Sequence, residues 1–170
     1  MLLLGLGSNL SSNFGNRFEN IDLAISHLQS YKIQLLKKSS FYETLSYPEI
    51  KNPKFINVVI EVLTHLPPED LASVLIFVEE KLERKRNQKN EPRTCDIDII
   101  DYNGQIMNFS YKSLIFKVPH EKLIYRNFVL FPLQEIVPNW IHPKTKEKIS
   151  NLIVKLPEED RKSILKVKKN

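Results

Sequence analysis

Apolar positions along the chain recur with the spacings typical of strands and helices in turn. The opening run LLLGL is almost continuously apolar and predicts a buried strand, with a tight turn in the GSN at residues 7–9. Over residues 18–31 the apolar side chains return at intervals of three and four, which predicts an amphipathic helix. Asn13 and Asn16 precede this helix and are candidate N-caps.

The middle of the chain continues with strand and helix patterns. Residues 33–44 predict one strand, residues 45–54 (LSYPEIKNPK) a loop, and the β-branched run at residues 55–63 (FINVVIEVL) a further strand. Residues 67–86 predict a long helix, because this segment starts with prolines, carries acids in its first turn and ends on basic residues.

A buried strand follows in the segment PRTCDIDII, at residues 92–100. The YNG at residues 102–104 is typical of a hairpin turn, so this strand is predicted to pair with the next one, QIMNF. Residues 127–135 predict another helix. The resulting order, βαββαβ followed by additional C-terminal elements, predicts an α+β ferredoxin-like sandwich in which two helices cover one face of an antiparallel sheet.

Composition narrows the picture. A chain of 170 residues with 42% hydrophobic content predicts a single domain over residues 1–170, with a core at about 1–150 and a basic extension at 151–170. The net charge of +5 suits an anionic partner, although much of the excess lies in the tail RKSILKVKKN, interpreted as a solvated end. A single cysteine, Cys95, excludes an intrachain disulfide and favours the cytoplasm, and no apolar window has membrane-spanning length.

The paired acids of DIDII are the first candidate chemistry. Side chains alternate along a strand, so Asp96 and Asp98 share one face, about 7 Å apart, while Ile97 and Ile99 occupy the other. Two carboxylates at this spacing suit Mg²⁺, which in turn binds the phosphate oxygens of a nucleotide. The alternative, a solvated acidic face without function, is favoured for an isolated D-x-D.

Basic residues near the two aspartates make a functional site more favourable than a solvated acidic face. Arg93 lies three residues before Asp96, Arg84 and Arg86 lie just upstream, and Arg126 follows downstream. Guanidinium groups pair bidentately with phosphate oxygens, so acids beside several arginines are what a triphosphate site requires. Arginines at a helix end also complement the helix dipole, so this cluster alone does not establish catalysis.

Several motifs together resemble 6-hydroxymethyl-7,8-dihydropterin pyrophosphokinase of folate biosynthesis. They cover about residues 1–150 and are GLGSNL, SSFYET, F-I-N before a β-branched strand, E-x-x-x-x-R, PRTCDIDI, and VPH followed by R-x-F-V-L-x-P-L-x-E-I-x-P. The resemblance implies the ferredoxin-like fold and transfer of a pyrophosphoryl group from ATP to the pterin hydroxymethyl oxygen, which yields AMP and the pterin diphosphate. It also implies two Mg²⁺ ions held by Asp96 and Asp98.

The resemblance implies a role for each matching residue. The pterin would be contacted by Gly7, Thr44, Leu45, Tyr47, Phe55, Asn57 and Phe128, with the two phenylalanines stacking on its faces. The ATP side would comprise Glu79, Arg86, Ile99, Lys117, His120 and Arg126, with Arg84, Arg93, Asp96 and Asp98 as catalytic residues. Residues 45–54 and 83–92 would be loops that close over the substrates.

Four positions depart from the family pattern. Glu91 replaces a common glycine, Glu83 a small residue, and Glu121 a proline or aromatic residue, while Lys117 would supply a charge that other members take from a nearby arginine. The loop at residues 84–93 is also shorter than in some members. None of these changes removes a predicted metal ligand.

Two other functions are consistent with parts of the sequence. A basic ferredoxin-like RNA-binding module would need aromatic residues on its central strands, and LLLGLG and DIDII do not supply them. A catalytically inactive relative is disfavoured because acids, arginines and aromatics are all present. We expect ATP and the pterin as partners, no nucleic acid or membrane, and a monomer without an obligate protein partner.

Overall fold

The computed structural model describes residues 1–86 and 90–169. Its strands and helices follow in chain order. They are β1 (Leu2–Ser8), α1 (Arg17–Ser30), β2 (Gln34–Lys38), β3 (Phe41–Thr44), β4 (Phe55–Leu63), α2 (Pro68–Lys81), β5 (Asp96–Tyr102), β6 (Met107–Tyr111), β7 (Leu114–Val118), α3 (Asn127–Ile136), α4 (Ile149–Lys155), α5 (Glu158–Ser163) and β8 (Leu165–Val167). A short 3-10 turn, Leu123–Tyr125, precedes α3.

The main sheet has the order β5-β1-β4-β3-β8, with β2 pairing beside β3 on β4. The pairs β5-β1, β1-β4 and β4-β3 are antiparallel, so the inner part of the sheet has the strand order of the predicted ferredoxin-like sandwich. This confirms the predicted fold class.

Two apolar cores lie on opposite faces of the sheet. Side chains of α1 and α2 pack with Leu4, Val58 and Ile97 in the first core. Side chains of α3 and α4 pack with Leu3 and Val59 in the second. Helices therefore cover both faces, one layer more than predicted, because the C-terminal elements supply their own apolar side chains.

The predicted helices are largely confirmed. Asn16 is the N-cap of α1 and accepts hydrogen bonds from the backbone N–H groups of Phe18 and Glu19, and Tyr31 is the C-cap. Helix α3 starts at the predicted residue and ends one residue later than predicted. The prediction for α2 was wrong at its C-terminus: the helix ends at Lys81, and Glu83 has a φ of 66°. Arg84 and Arg86 therefore lie in the segment after the helix.

Three strand predictions were also wrong. Residues 33–44 form two strands, because the chain breaks at Ser39, whose N–H and hydroxyl bond to the backbone of Val59. The predicted turn at residues 7–9 begins too early, since Gly7 and Ser8 still pair with β4. Strand β6 pairs with β7 rather than with β5, so YNG ends a strand without closing a hairpin.

The basic tail also differs from the solvated end that was predicted. It contributes α5 and the edge strand β8, which pairs with β3. Lys169 reaches Asp22 at 3.0 Å and Lys166 reaches Glu135 at 3.4 Å, so part of the positive charge is used in ion pairs. Within the described residues, no helix combines the length and the apolar character needed to cross a bilayer.

Replacing Asp101 with alanine is expected to lower the free energy of unfolding by about 2–4 kcal/mol. Asp101 is buried on β5 and accepts hydrogen bonds from Trp140 Nε1 at 2.8 Å and from the Gly104 N–H at 2.7 Å. Alanine leaves both donors without this partner, whereas Asp101→Asn keeps one acceptor and should lose less. Urea denaturation followed by circular dichroism measures the free energy of unfolding of both variants. Equal stability of Asp101→Ala and wild type would contradict the stabilising role of the Asp101 hydrogen bonds.

Candidate active site

A row of residues from four neighbouring strands crosses one face of the sheet. The strand register places Asp96 opposite Gly7, Gly7 opposite Asn57, and Asn57 opposite Tyr42. Asp98 lies opposite Gly5 in the same way. Ile97 and Ile99 are buried in the first core, so the two aspartates occupy the opposite face, as alternation predicts. The site therefore shares its face with α3 and α4, next to the N-terminus of α3.

Gly7 keeps the centre of this row free of side-chain atoms. A Cβ atom built on Gly7 would lie 3.2 Å from Asn57 Oδ1 and 3.5 Å from the Phe55 ring. The glycine thus leaves space between the acids of β5 and the polar residues of β4, which gives the predicted pterin-side role of Gly7 a steric basis.

Asp96 is held by two arginines. Arg84 Nη1 lies 2.5 Å from Asp96 Oδ1, and Arg93 Nη2 lies 2.6 Å from Oδ2. Burial alone would raise the pKa of Asp96, but Arg93 and Arg84 outweigh it and bring the pKa to about 2. Asp96 is therefore ionised at neutral pH.

Glu79 lies beneath the arginines. Its side chain is 3% exposed and forms ion pairs with Arg84 and Arg86, and it accepts the backbone N–H of Ile97 at 2.7 Å. Burial raises the pKa of Glu79 to about 7, with the two arginines acting in the opposite direction. This position allows Glu79 to orient both guanidinium groups, and the carboxylate itself is turned away from solvent.

Asp98 is the more accessible acid, with a side chain 43% exposed. Arg126 Nη1 lies 3.3 Å from Asp98 Oδ2. Partial burial of the carboxyl and the neighbouring Asp96 raise the pKa of Asp98. Burial together with Arg126 lowers the pKa of His120, which favours the neutral ring. Because His120 Nδ1 accepts a hydrogen bond from the backbone N–H of Lys122, the neutral ring carries its proton on Nε2.

Each aromatic residue predicted to stack on the pterin already contacts one of the arginines. Arg93 Cζ lies 4.9 Å from the centre of the Phe55 ring, and Arg126 Cζ lies 5.5 Å from that of Phe128. Each arginine therefore links one aspartate of β5 to one aromatic ring, so the predicted metal ligands and the predicted stacking residues belong to one cluster.

Asn57 and Thr44, both predicted to contact the pterin, are buried. Asn57 Nδ2 donates to Thr44 Oγ1 at 3.0 Å and to the Tyr42 carbonyl at 3.4 Å. These two bonds use the amide hydrogens and direct Asn57 Oδ1 toward Gly7. The oxygen is thereby oriented to accept a hydrogen bond from a ligand.

Four predicted residues stand apart from this cluster. Tyr47 is 88% exposed and Leu45 is 49% exposed, so their side chains face solvent. Lys117 pairs with Glu121 at 2.7 Å on an exposed surface. Ile99 is buried in the first core, which leaves only its backbone for contact with a nucleotide.

Asn9 and Ser46 join the two halves of the site and were not singled out from the sequence. Asn9 Oδ1 accepts the Arg93 N–H at 2.7 Å, while Asn9 Nδ2 donates to Ser46 Oγ at 3.2 Å and to the Pro53 carbonyl at 3.0 Å. Asn9 therefore ties the loop at residues 45–54 to the segment that carries Arg93. The signal available was the asparagine of GSN, interpreted from sequence only as part of a turn.

The acids suit a hard divalent cation. Among residues 1–86 and 90–169, no group of three or more His, Cys, Asp or Glu side chains is placed to hold a metal ion without other ligands. Mg²⁺ is commonly bound by one or two carboxylates with water and substrate phosphates completing its octahedron. Asp96 and Asp98 fit this mode, because both are ionisable oxygen ligands on one face and Asp98 is open to solvent.

The chain matches known proteins along most of its length. The family model described as 7,8-dihydro-6-hydroxymethylpterin-pyrophosphokinase matches residues 3–138. The chain is 36% identical over 140 residues to the 2-amino-4-hydroxy-6-hydroxymethyldihydropteridine pyrophosphokinase of Aquifex aeolicus, with 82% of each protein covered. It is also 36% identical over 157 residues to the folic acid synthesis protein fol1 of Pneumocystis carinii, and there it spans about a fifth (21%) of the relative.

Solved structures agree on the fold. A crystal structure of a Plasmodium falciparum HPPK-DHPS triple mutant with pteroate superposes with a TM-score of 0.73 at 14% identity, covering 97% of this chain and 46% of the other. At this identity the match supports the architecture alone. The family model and the Aquifex aeolicus relative carry the assignment, and the chain belongs to the 7,8-dihydro-6-hydroxymethylpterin-pyrophosphokinase family.

Proposed function

We propose that this chain transfers a pyrophosphoryl group from ATP to the hydroxymethyl oxygen of 6-hydroxymethyl-7,8-dihydropterin, yielding AMP and the pterin diphosphate. One observation carries the proposal beyond family membership: Asp96 and Asp98 lie side by side on β5, and Arg84, Arg93 and Arg126 contact them. This arrangement offers oxygen ligands for metal and guanidinium groups for phosphate in one place.

The phosphate side would be organised around the two acids. Asp96 and Asp98 would hold two Mg²⁺ ions, which when bound neutralise the phosphate oxygens of ATP. Binding of metal to Asp96 requires Arg84 and Arg93 to turn from the carboxylate, and both would then meet the phosphates. Glu79 would keep Arg84 and Arg86 oriented during that change. His120 would contact the nucleotide from the outer side, and Lys117 would have to leave Glu121 to do so.

The pterin side would be formed by β1, β3, β4 and the start of α3. Asn57 Oδ1 would accept a hydrogen bond from an N–H of the heterocycle, supported by the Thr44 hydroxyl. Phe55 and Phe128 would each use the ring face not covered by arginine, since stacking on a flat heterocycle adds about 0.5–1.5 kcal/mol beyond burial. Gly7 leaves the space that the heterocycle needs.

The protein's part in the reaction is positioning and charge stabilisation. The hydroxymethyl oxygen forms a bond to the β-phosphorus, the bond from that phosphorus to the oxygen of the α-phosphate breaks, and the hydroxyl proton is released. Arg84 and Arg93 would stabilise the charge that grows on the departing AMP oxygen. The loops at residues 45–54 and 83–92 would exclude water during transfer, although residues 87–89 lie outside the described part of the chain.

Product analysis tests this function. Purified protein with Mg²⁺, ATP and the hydroxymethyl dihydropterin should release AMP in equal amount to the pterin diphosphate, as measured by ion-exchange chromatography. Release of ADP, or no reaction, would contradict the proposal. Omitting the pterin provides the control, since pyrophosphoryl transfer requires the acceptor.

Other properties are proposed on narrower grounds. We propose a single domain over residues 1–170, a monomer without an obligate protein partner, and a cytoplasmic location consistent with the buried free thiol of Cys95. The RNA-binding alternative gains no support, because β1 carries no aromatic residue and the chain belongs to a pyrophosphokinase family.

A further inference from the structure

The last part of the chain, residues 157–169, follows the region matched by the family model, which ends at residue 138. It contains α5, in which no residue is buried, and β8, in which two of three residues are exposed. Burial of apolar surface is therefore a minor part of what this segment contributes. Its polar contacts lead to two edges of the candidate site.

The first of these contacts involves Asn127, the first residue of α3. Asn127 Nδ2 donates to the Asp160 carbonyl at 2.7 Å and to Ser163 Oγ at 3.3 Å. Ser163 Oγ in turn donates to the Asp160 carbonyl at 3.1 Å, so the three groups form a closed set of hydrogen bonds. This set joins α5 to the beginning of α3.

The position of Asn127 makes this connection relevant to the site. Its neighbours are Arg126, which contacts Asp98, and Phe128, whose ring contacts the Arg126 guanidinium. Arg126 is the N-cap of α3 and provides no side-chain capping bond. The start of α3 thus lacks a side-chain cap, and the Asn127 amide instead ties this end of the helix to α5.

The second contact is the pairing of β8 with β3. Phe41 lies opposite Val167, and Tyr42 lies opposite Lys166. The same Tyr42 accepts a hydrogen bond from Asn57 through its carbonyl, and Thr44 lies on the same strand. Strand β8 therefore covers the outer edge of the strand that carries the Thr44 side of the pterin site.

We propose that residues 157–169 brace the pterin site, and that Asn127 is a positioning residue that holds Phe128 in the orientation that binds the pterin. This inference rests on the proposed function for its substrate. The segment contacts two elements that carry predicted pterin residues. Helix α5 is hydrogen-bonded to Asn127 at the start of α3, and β8 pairs with β3. Neither contact touches the reacting atoms, so the brace acts on binding.

Kinetics of Asn127→Ala test the positioning role. We expect the KM for the pterin to rise about three- to ten-fold, the effect of losing one or two well-formed hydrogen bonds. The value of kcat and the KM for ATP should change by less than about two-fold, because the Asn127 amide supports the wall that binds the pterin and not the reacting atoms. A purely structural role would lower the active fraction, and hence apparent kcat, without changing the pterin KM.

Two further variants of the full chain sharpen the comparison. Asp160→Ala keeps the main-chain carbonyl that accepts from Asn127 and should leave the pterin KM unchanged. Asn127→Asp keeps the side-chain shape and places an acid at the helix N-terminus, where it favours the helix, but it removes both donors. It should therefore raise the pterin KM, as Asn127→Ala does.

Hydrogen exchange supplies a readout that does not depend on turnover. Backbone amides of residues 129–131 should exchange faster in Asn127→Ala than in wild type and in Asp160→Ala. Unchanged exchange overturns the brace whether or not the protein is active. Faster exchange with an unchanged pterin KM overturns the positioning role, and a wild-type protein that releases no AMP overturns the proposed function instead.

Discussion

Replacing Asp98 with asparagine should lower the rate of AMP release about a thousand-fold while leaving the protein folded. The side chain is 43% exposed, and its contact with Arg126 is long at 3.3 Å, so little of the fold depends on it. Its carboxylate is nevertheless the open member of the pair proposed to bind metal. Asparagine keeps the shape and removes the charge, and it cannot replace an anionic ligand of Mg²⁺.

The direction of the stability change adds a second test of the same residue. Partial burial and the charge of Asp96 raise the pKa of Asp98, so the ionised form is less favourable in the folded protein than in water. Asp98→Asn should therefore unfold at an unchanged or slightly higher urea concentration even though turnover is lost. Such opposition between stability and activity is typical of a functional charge.

Asp101→Asn is the matched control on the same strand. It removes one negative charge three residues away, and it should lose stability with little change in kcat because Asp101 contacts Trp140 and Gly104. Near-native turnover of Asp98→Asn would contradict the proposed metal site. Loss of turnover together with loss of folded structure would contradict the assignment of Asp98 as a functional residue.

Arg84→Gln should lower turnover about a hundred- to a thousand-fold and destabilise the fold by about 3 kcal/mol. Arg84 is 13% exposed and pairs with both Glu79 and Asp96. Its removal takes a guanidinium from the proposed leaving-group side. It also leaves the buried Glu79 with one arginine fewer, which accounts for the loss of stability.

The double variant Arg84→Gln with Glu79→Gln separates the two effects. Removing both buried charges eliminates the uncompensated carboxylate, so stability should recover part of the loss, whereas turnover should stay low. Lys85→Gln removes a positive charge from the adjacent exposed position and serves as the control. Recovery of turnover along with stability in the double variant would show that Arg84 acts only in folding.

Local sequence patterns were sufficient to predict much of the sheet and the orientation of the two aspartates of β5. The period of two in DIDI places Ile97 in the first core and the acids opposite, because strand geometry leaves no other arrangement. The period of three and four in α1 is equally direct, since one helix face must bury its apolar residues. In both elements the spacing of apolar residues along the sequence is enough to predict which side chains are buried.

Long-range contacts explain where local patterns failed. Asn9 reaches the Arg93 N–H across 84 residues, and nothing near Asn9 in the sequence identifies that partner. The segment around Arg84 looks helical by composition, yet Arg84 and Arg86 lie beyond the end of α2 and pair with Glu79 inside that helix. Strand β8 was missed because three mostly exposed residues at a sheet edge carry no apolar alternation.

The predicted pairing of β5 with the following strand failed for a different reason. The YNG sequence suits a hairpin, and Asn103 and Gly104 do adopt positive φ values. The following strand nevertheless pairs with β7, because Phe109 and Phe116 stack at 5.1 Å and pack against the first core. Turn chemistry decides where a strand ends, while tertiary packing decides its partner.

The buried Trp140 has a practical consequence. It is the one tryptophan in the sequence, 3% exposed, and lies in the second core against Asp101. Its emission should shift to longer wavelength when that core opens to water, without any label. Because the indole hydrogen-bonds to Asp101 rather than to Asp96 or Asp98, the chain carries an intrinsic optical probe for the opening of the second core.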